Sequence, residues 1–214
     1  MRLEVDAILF DIDGTLVDST DAVEGIWTTW AARRGLDAAE ILEVSHGRRT
    51  EDTLRLFLPE DSVAEAVAEL AAMEHAEDGE VLALPGVAEL LAALPKERWA
   101  AVTSGTRTVM LPRLASAGLP EPSVLVAAED VRVGKPDPEG YRLAAEQLGH
   151  DVTRCLVVED APAGIEAARA AGAASLGVAT SHDRDVLRGA DEVVADLTSL
   201  TVSLRPDGLV VTTA

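Results

Sequence analysis

Basic residues are scarce in this chain, and lysine is scarcest of all. Its 214 residues hold 18 Lys and Arg against 38 Asp and Glu, a formal net charge of −20. That balance argues against nucleic acid and anionic membrane as partners, because both are held through clustered Lys and Arg. It does not exclude a small anion, since a few fixed cations in a cleft outweigh surface charge that is screened beyond about 10 Å. Cysteine is nearly absent too. The lone Cys155 can form no internal disulfide, and its place before Leu156-Val157-Val158 suits a small buried thiol. A reducing cytoplasm is the expected compartment. No apolar run approaches the ~20 residues of a membrane span. The segment 1–6 lacks the charged-then-apolar character of a signal peptide, so export is not expected. The length suits one sizeable core with an appendage.

What the chain does have is concentrated at Asp11-Ile12-Asp13-Gly14-Thr15. The preceding Ala7-Ile8-Leu9-Phe10 has the length and composition of a buried parallel strand. It delivers two carboxylates, one residue apart, to the edge of an open α/β sheet where ligands bind. Alternate strand residues point to opposite faces. The two acids can share a site only if the backbone turns at once, which Gly14 permits. One carboxylate could then attack while the other handles protons; an ordinary Asp-Gly turn is the plainer alternative.

The first strand is read over 3–10. Helical periodicity then holds over 18–78, with helices at 21–34, 38–44, 50–58 and 62–77 and no convincing strand between them. After Leu84-Pro85-Gly86 the pattern alternates: helix 87–94, strand 99–102, helix 107–118, strand 123–127, helix 139–148, strand 154–158, helix 163–171, strand 174–178, helix 183–188 and strand 192–195. Residues 209–212 suit one more short strand or a loose tail. Strands alternating with helices imply an α/β fold, a parallel sheet covered on both faces. The helical insert implies a separate lid, with hinges near 16–19 and 83–86. The core would comprise 1–15 and 84–214, and the lid 16–83.

Three further segments supply polar groups. Thr103-Ser104-Gly105-Thr106 follows a strand, where hydroxyl and free backbone N–H groups suit an anion, although a helix N-cap has the same composition. Lys135, one of two lysines in the chain, sits in Gly134-Lys135-Pro136-Asp137-Pro138, where two prolines stiffen the loop. A point cation held this way suits phosphate and developing negative charge; a solvated loop lysine is the alternative. Glu159-Asp160 forms a second acidic pair after a strand. Facing Asp11, the pair would need a cation between them, and oxygen ligands suggest Mg²⁺; a helix-capping acid is the alternative.

These four segments, in this order, resemble the haloacid dehalogenase-like phosphohydrolases over nearly the whole chain. Asp11 through Ser19 matches the first family motif, Ser104 the second, Lys135 the third and Glu159-Asp160 the fourth. The resemblance implies a Rossmann-like parallel-sheet core with a helical cap inserted after the first strand. It implies Asp11 as nucleophile, forming an aspartyl-phosphate, and Asp13 as general acid and then base. Mg²⁺ would be held by Asp11, the Asp13 carbonyl and Asp160, with Glu159 direct or through water. Ser104, the Gly105 N–H and Lys135 would clamp the phosphoryl oxygens, while Thr103 would be structural.

Asp13 argues against the dehalogenase branch, since halide leaves without an acid. Residues 16–82 contain no lysine, which argues against the phosphonatase branch and, less strongly, the phosphomutase branch. In the cap, His46, Arg48, Arg49 and Thr50 are candidate substrate readers, although Arg48 and Arg49 also suit a solvated pair or an interdomain salt bridge. Of Trp27 and Trp30, at least one belongs in the cap core. Segments 46–50, 94–99, 103–107, 130–141 and 158–165 are similar to glycerol phosphate and 2-deoxyglucose-6-phosphate phosphatases. The expectation is a phosphatase of a small phosphorylated polyol or sugar, a monomer or weak homodimer, with a sugar phosphomutase as the alternative.

Overall fold

The computed structural model describes residues 1–76 and 81–214. In chain order the strands and α-helices are β1 (Arg2–Val5), β2 (Ala7–Phe10), β3 (Val17–Asp18), α1 (Thr20–Arg34), α2 (Ala38–Ser45), α3 (Thr50–Leu54), α4 (Glu60–Ala76), β4 (Leu82–Ala83), α5 (Val87–Ala93), β5 (Trp99–Val102), α6 (Arg107–Ser116), β6 (Leu125–Val126), α7 (Glu139–Leu148), β7 (Cys155–Glu159), α8 (Pro162–Ala171), β8 (Ala174–Val178), β9 (Glu192–Val194), β10 (Leu200–Arg205) and β11 (Gly208–Thr213). None of the described helices is long and apolar enough to cross a membrane.

Six strands pair in parallel in the order β6-β5-β2-β7-β8-β9. Every residue of β2, β5 and β7 is buried, as central strands of a sheet covered on both faces must be. Successive side chains alternate between two cores. Ile8, Phe10, Trp99, Ala101, Leu156 and Val158 face the layer of α5, α6 and the β1-β11-β10 sheet. Ala7, Leu9, Ala100, Val102, Cys155 and Val157 face α7 and α8. The chain builds β5 and β6 on one side of β2 and then crosses to β7 on the other, so the carboxyl ends of β5, β2 and β7 surround the crevice where α/β sheets bind ligands.

Helices α1 to α4 pack around a cluster of their own. Ile26, Trp30, Ala31, Ile41, Leu54, Val63, Ala66 and Leu70 are buried in it. Trp30 meets Trp27 edge-on at 5.9 Å and donates its indole N–H to Glu69 at 2.9 Å. Near the segments expected as hinges, 16–19 and 83–86, the chain forms a short antiparallel ribbon, β3 with β4, in which Val17 faces Ala83.

Several elements differ from the sequence reading. The first strand is two, broken at Asp6, whose N–H leaves the ladder for the Arg154 carbonyl at 2.7 Å. Strand β1 then pairs with β11 in the separate antiparallel sheet. Residues 209–212 are not a loose tail; they belong to β11, which also pairs with the unforeseen β10. No helix spans 183–188: turns carry the chain there, anchored by buried Leu187. The third cap helix stops at Leu54 rather than at 58, and strand 123–127 contracts to Leu125–Val126. The expected end of the last cap helix at Glu77 lies outside the described residues.

Candidate active site

Immediately after β2 the chain makes the required turn. The N–H groups of Leu16 and Val17 both donate to the Ile12 carbonyl, at 2.8 and 3.0 Å. Gly14 sits at φ +78°, and a Cβ there would stand 2.2 Å from both Asp160 Oδ2 and Ser181 Oγ. Only glycine meets both demands. The turn brings Asp11 and Asp13 to the wall of one pocket.

Asp11 is 5% exposed, and its Oδ1 accepts from Lys135 Nζ at 2.5 Å. Lys135 also donates to the Val102 carbonyl at 3.1 Å and to Glu159 Oε1 at 2.6 Å. The loop lysine is thus buried between two acids and not solvated. Burial alone would lower the Lys135 pKa, but Asp11 and Glu159 outweigh it and hold the ammonium above its usual range. Burial pushes Asp11 well up, assisted by Glu159 and Asp160 and opposed by Lys135. Glu159 is fully buried; its Oε1 also accepts from the Tyr141 hydroxyl at 2.6 Å, and its Oε2 from the Ala161 N–H at 3.2 Å.

Asp160 accepts from Thr15 Oγ1 at 3.0 Å. Burial, then the charge of Glu159, push its pKa up to about 7 against hydrogen bonds from Ser181 and Thr15. Ligand oxygens of Asp11, Glu159 and Asp160 lie within 4.8 Å of one another. Three buried carboxylates facing a single ammonium leave negative charge that a hard, oxygen-binding cation would offset. The residues present therefore fit Mg²⁺.

The side chain of Asp13 points elsewhere. Its Oδ1 accepts from Ser19 Oγ at 2.6 Å and from Arg113 at 2.7 Å. Arg113 is buried on α6 beside Val109, Met110 and Leu114, and sequence reasoning missed it. An arginine within the apolar stripe of an amphipathic helix was the available signal. Tyr141 and Glu74 were missed as well; Glu74 lines the same pocket from α4.

At the end of β5, Thr103 Oγ1 accepts from the Gly105 N–H at 3.0 Å, and Thr103 lines the pocket. The Ser104 hydroxyl lines the pocket and donates to the Gly47 carbonyl of the cap at 2.8 Å. His46, Arg48 and Thr50 also line the pocket. The His46 Nε2 lies 3.4 Å from Glu24, and its ring meets His182 edge-on at 5.1 Å. Arg49 is drawn away from the pocket lining. It binds Asp52 and donates to the carbonyls of Val131 and Arg132. Its ion pair is thus local, with Asp52, and not the expected interdomain salt bridge; only its hydrogen bonds to backbone carbonyls reach the 131–132 segment. Trp27 lines the pocket while Trp30 fills the cap core.

A family model described as haloacid dehalogenase-like hydrolase matches residues 5–172. Hexitol phosphatase A of Escherichia coli is 44% identical over 95% of this chain and 96% of its own. Glycerol-1-phosphate phosphohydrolase 2 of Saccharomyces cerevisiae is 38% identical over 94% and 86%. A solved hydrolase of the same family from Deinococcus radiodurans, with bound phosphate and sodium, is 31% identical, covers 91% of this chain and 92% of its own, and superposes with a TM-score of 0.65. Motif order, sheet edge and relatives agree: this chain belongs to the haloacid dehalogenase-like hydrolases.

Proposed function

We propose that this chain is a Mg²⁺-dependent phosphatase that hydrolyses a phosphate monoester of a small polyol or sugar through an aspartyl-phosphate on Asp11. The observation that carries this reading is the pair of carboxylates on one glycine turn, each held differently. Asp11 Oδ1 is fixed by Lys135 at 2.5 Å, which leaves Oδ2 for attack on phosphorus. Asp13 Oδ1 is fixed by Ser19 and Arg113, which leaves its Oδ2 for proton transfer.

In the first half-reaction the Asp11–phosphorus bond forms as the bond to the leaving oxygen breaks. The Asp13 carboxyl gives that oxygen its proton, which an alkoxide needs at neutral pH. In the second half, the Asp13 carboxylate takes a proton from water. The water oxygen bonds to phosphorus, and Asp11 leaves as carboxylate. Ser104, the Gly105 N–H and Lys135 orient the phosphoryl oxygens; Ser104, Gly105 and Lys135 each exchange a present partner, Gly47, Thr103 and the Val102 carbonyl, for the substrate. Asp11, Asp160, Glu159 and the Asp13 carbonyl would hold Mg²⁺, which supplies charge neutralisation at the phosphoryl group.

Residues 16–83 serve as the cap, a domain that closes the pocket and reads the alcohol. Arg48 and Thr50 face the substrate with His46, whereas Arg49 ties the cap to the Lys135 loop. The absence of lysine from 16–82 favours water over a second sugar hydroxyl as the acceptor. The related phosphatases with hexitol and glycerol substrates support the polyol class.

The test is phosphate release from a panel of polyol and sugar phosphates, with Mg²⁺ and with EDTA. Release that needs Mg²⁺ and concentrates on polyol phosphates is expected. Isomerisation of a hexose phosphate on addition of a bisphosphate, without release, would replace the phosphatase by a mutase. Asp11→Asn should abolish turnover with the fold intact, and Asp13→Asn should fail selectively on alkyl phosphates, whose leaving groups need a proton.

A further inference from the structure

Glu74 has no place in the chemistry described so far, yet α4 delivers it to the wall of the pocket. It stands near the end of that helix and within electrostatic reach of Arg113 and Asp13. No described residue forms an ion pair or a hydrogen bond with its carboxylate. Burial holds its pKa above the usual carboxylate range. A half-buried acid with no partner among the described residues costs free energy. Beside an anionic substrate it also repels, unless the substrate brings a donor to it.

Its location decides which part of the substrate that is. Asp11, Ser104 and Lys135 define where the phosphoryl group lies, and Asp13 defines where the leaving oxygen lies. Glu74 sits on the Asp13 side and so faces the alcohol. Arg113, whose guanidinium binds Asp13, and Arg48 line the same pocket and disfavour an ammonium group there. An alcohol that carries further hydroxyls meets the requirement, because a carboxylate accepts from two O–H groups at once.

We propose that Glu74 is a specificity-determining residue, accepting hydrogen bonds from hydroxyls of the leaving alcohol and thereby selecting polyhydroxylated phosphate esters over plain alkyl ones. The inference rests on the phosphatase reading above and deepens it. The same charge disfavours a second phosphate on the alcohol, and therefore bisphosphates.

The experiment compares matched esters that differ only in hydroxyls: glycerol 1-phosphate against propyl phosphate, and a hexitol phosphate against hexyl phosphate. For wild type, Glu74→Gln and Glu74→Ala, the ratio of kcat/KM within each pair is measured. The ratio within a pair removes any loss common to both esters, and comparing that ratio between wild type and variants removes the difference in leaving-group acidity. Wild type should favour the hydroxylated member of at least one pair, and both variants should lose about tenfold of that preference, chiefly through KM. Glu74→Asp, with its charge withdrawn by one methylene, should fall between. If both members of a pair fall together in the variants, Glu74 only supports the fold and the proposal is overturned. A wild-type preference for 3-aminopropyl phosphate over glycerol 1-phosphate would overturn it too, in favour of an ammonium partner. Phosphate release from none of these esters would instead remove the phosphatase reading beneath it.

Discussion

Lys135 concentrates the electrostatics of the site in one side chain. It is 6% exposed and contacts both Asp11 and Glu159, so its removal leaves two buried carboxylates with no cation. Lys135→Met should abolish turnover and cost about 3–5 kcal/mol of stability, the usual result of removing one partner from a buried pair, measured by urea denaturation. His46 gives a pH dependence. Burial and the neighbouring His182 lower its pKa against the pull of Glu24, so the folded state favours the neutral ring more than the unfolded chain does. Its stabilising effect is therefore complete above the unfolded value, about 6.5, and is lost as pH falls through that value toward the lower folded one. His46→Gln should flatten the stability profile between about pH 7 and 5, again read by urea denaturation. At this scale the sequence showed the acids and Lys135 by their order, because each follows a strand or lies in a stiff loop. It did not separate Arg48 from Arg49, since adjacent loop residues diverge only once Val131, Arg132 and Asp52 are in place to claim one of them. Arg113 and Glu74 lie outside any motif and reach the pocket only through helix packing.

At the scale of elements, α8 packs so closely under β7 that Gly164 has no room for a side chain. A Cβ there would stand 1.7 Å from Glu159 Oε1. Gly164→Ala should displace Glu159 from Lys135 and Tyr141, costing about 3 kcal/mol as an overpacked core does and reducing kcat with it. Thermal melts and phosphate-release rates would both report the change. The central strands were readable because a continuous apolar run of four or five residues between helices is too short for a helix and too apolar for a loop. Ribbon β3–β4 was not, since two-residue strands carry no periodicity. Strands β10 and β11 do carry a signal: Leu200, Val202 and Leu204 alternate with polar residues and lead into Arg205-Pro206-Asp207-Gly208, a turn sequence. The expected helix at 183–188 failed for a different reason. Its six residues include four charged ones and a single buried leucine, too little apolar surface to hold a helix against the core.

For the molecule as a whole, a metal held by the acidic cluster of Asp11, Glu159 and Asp160 would add to stability. A cation bound only by the folded chain adds about 2.7 kcal/mol at a hundred times its dissociation constant. Mg²⁺ should therefore raise Tm by roughly 5–10 °C, and Asp160→Asn should remove the increase; scanning calorimetry with and without EDTA would test both. The helical tract of α1 to α4 and the alternating strands and helices after it were readable from the sequence pattern, and the four helices share a buried cluster of their own. Contacts between the two were not, because the Ser104–Gly47 and Arg49–Val131 hydrogen bonds join residues 57 and 82 positions apart.

The ribbon of β3 and β4 carries a consequence for how such enzymes diversify. Both covalent crossings between core and cap pass through adjacent, hydrogen-bonded residues, Val17 beside Ala83 and Asp18 beside Leu82. Because the segment leaves and re-enters at neighbouring residues, changes of its length or sequence would leave the register of the six-stranded sheet in place. Under the proposed function, changes at Trp27, Arg48 or Glu74, which line the pocket from that segment, would alter recognition while Asp11 and Asp13 on the other side of the ribbon stay under a separate constraint.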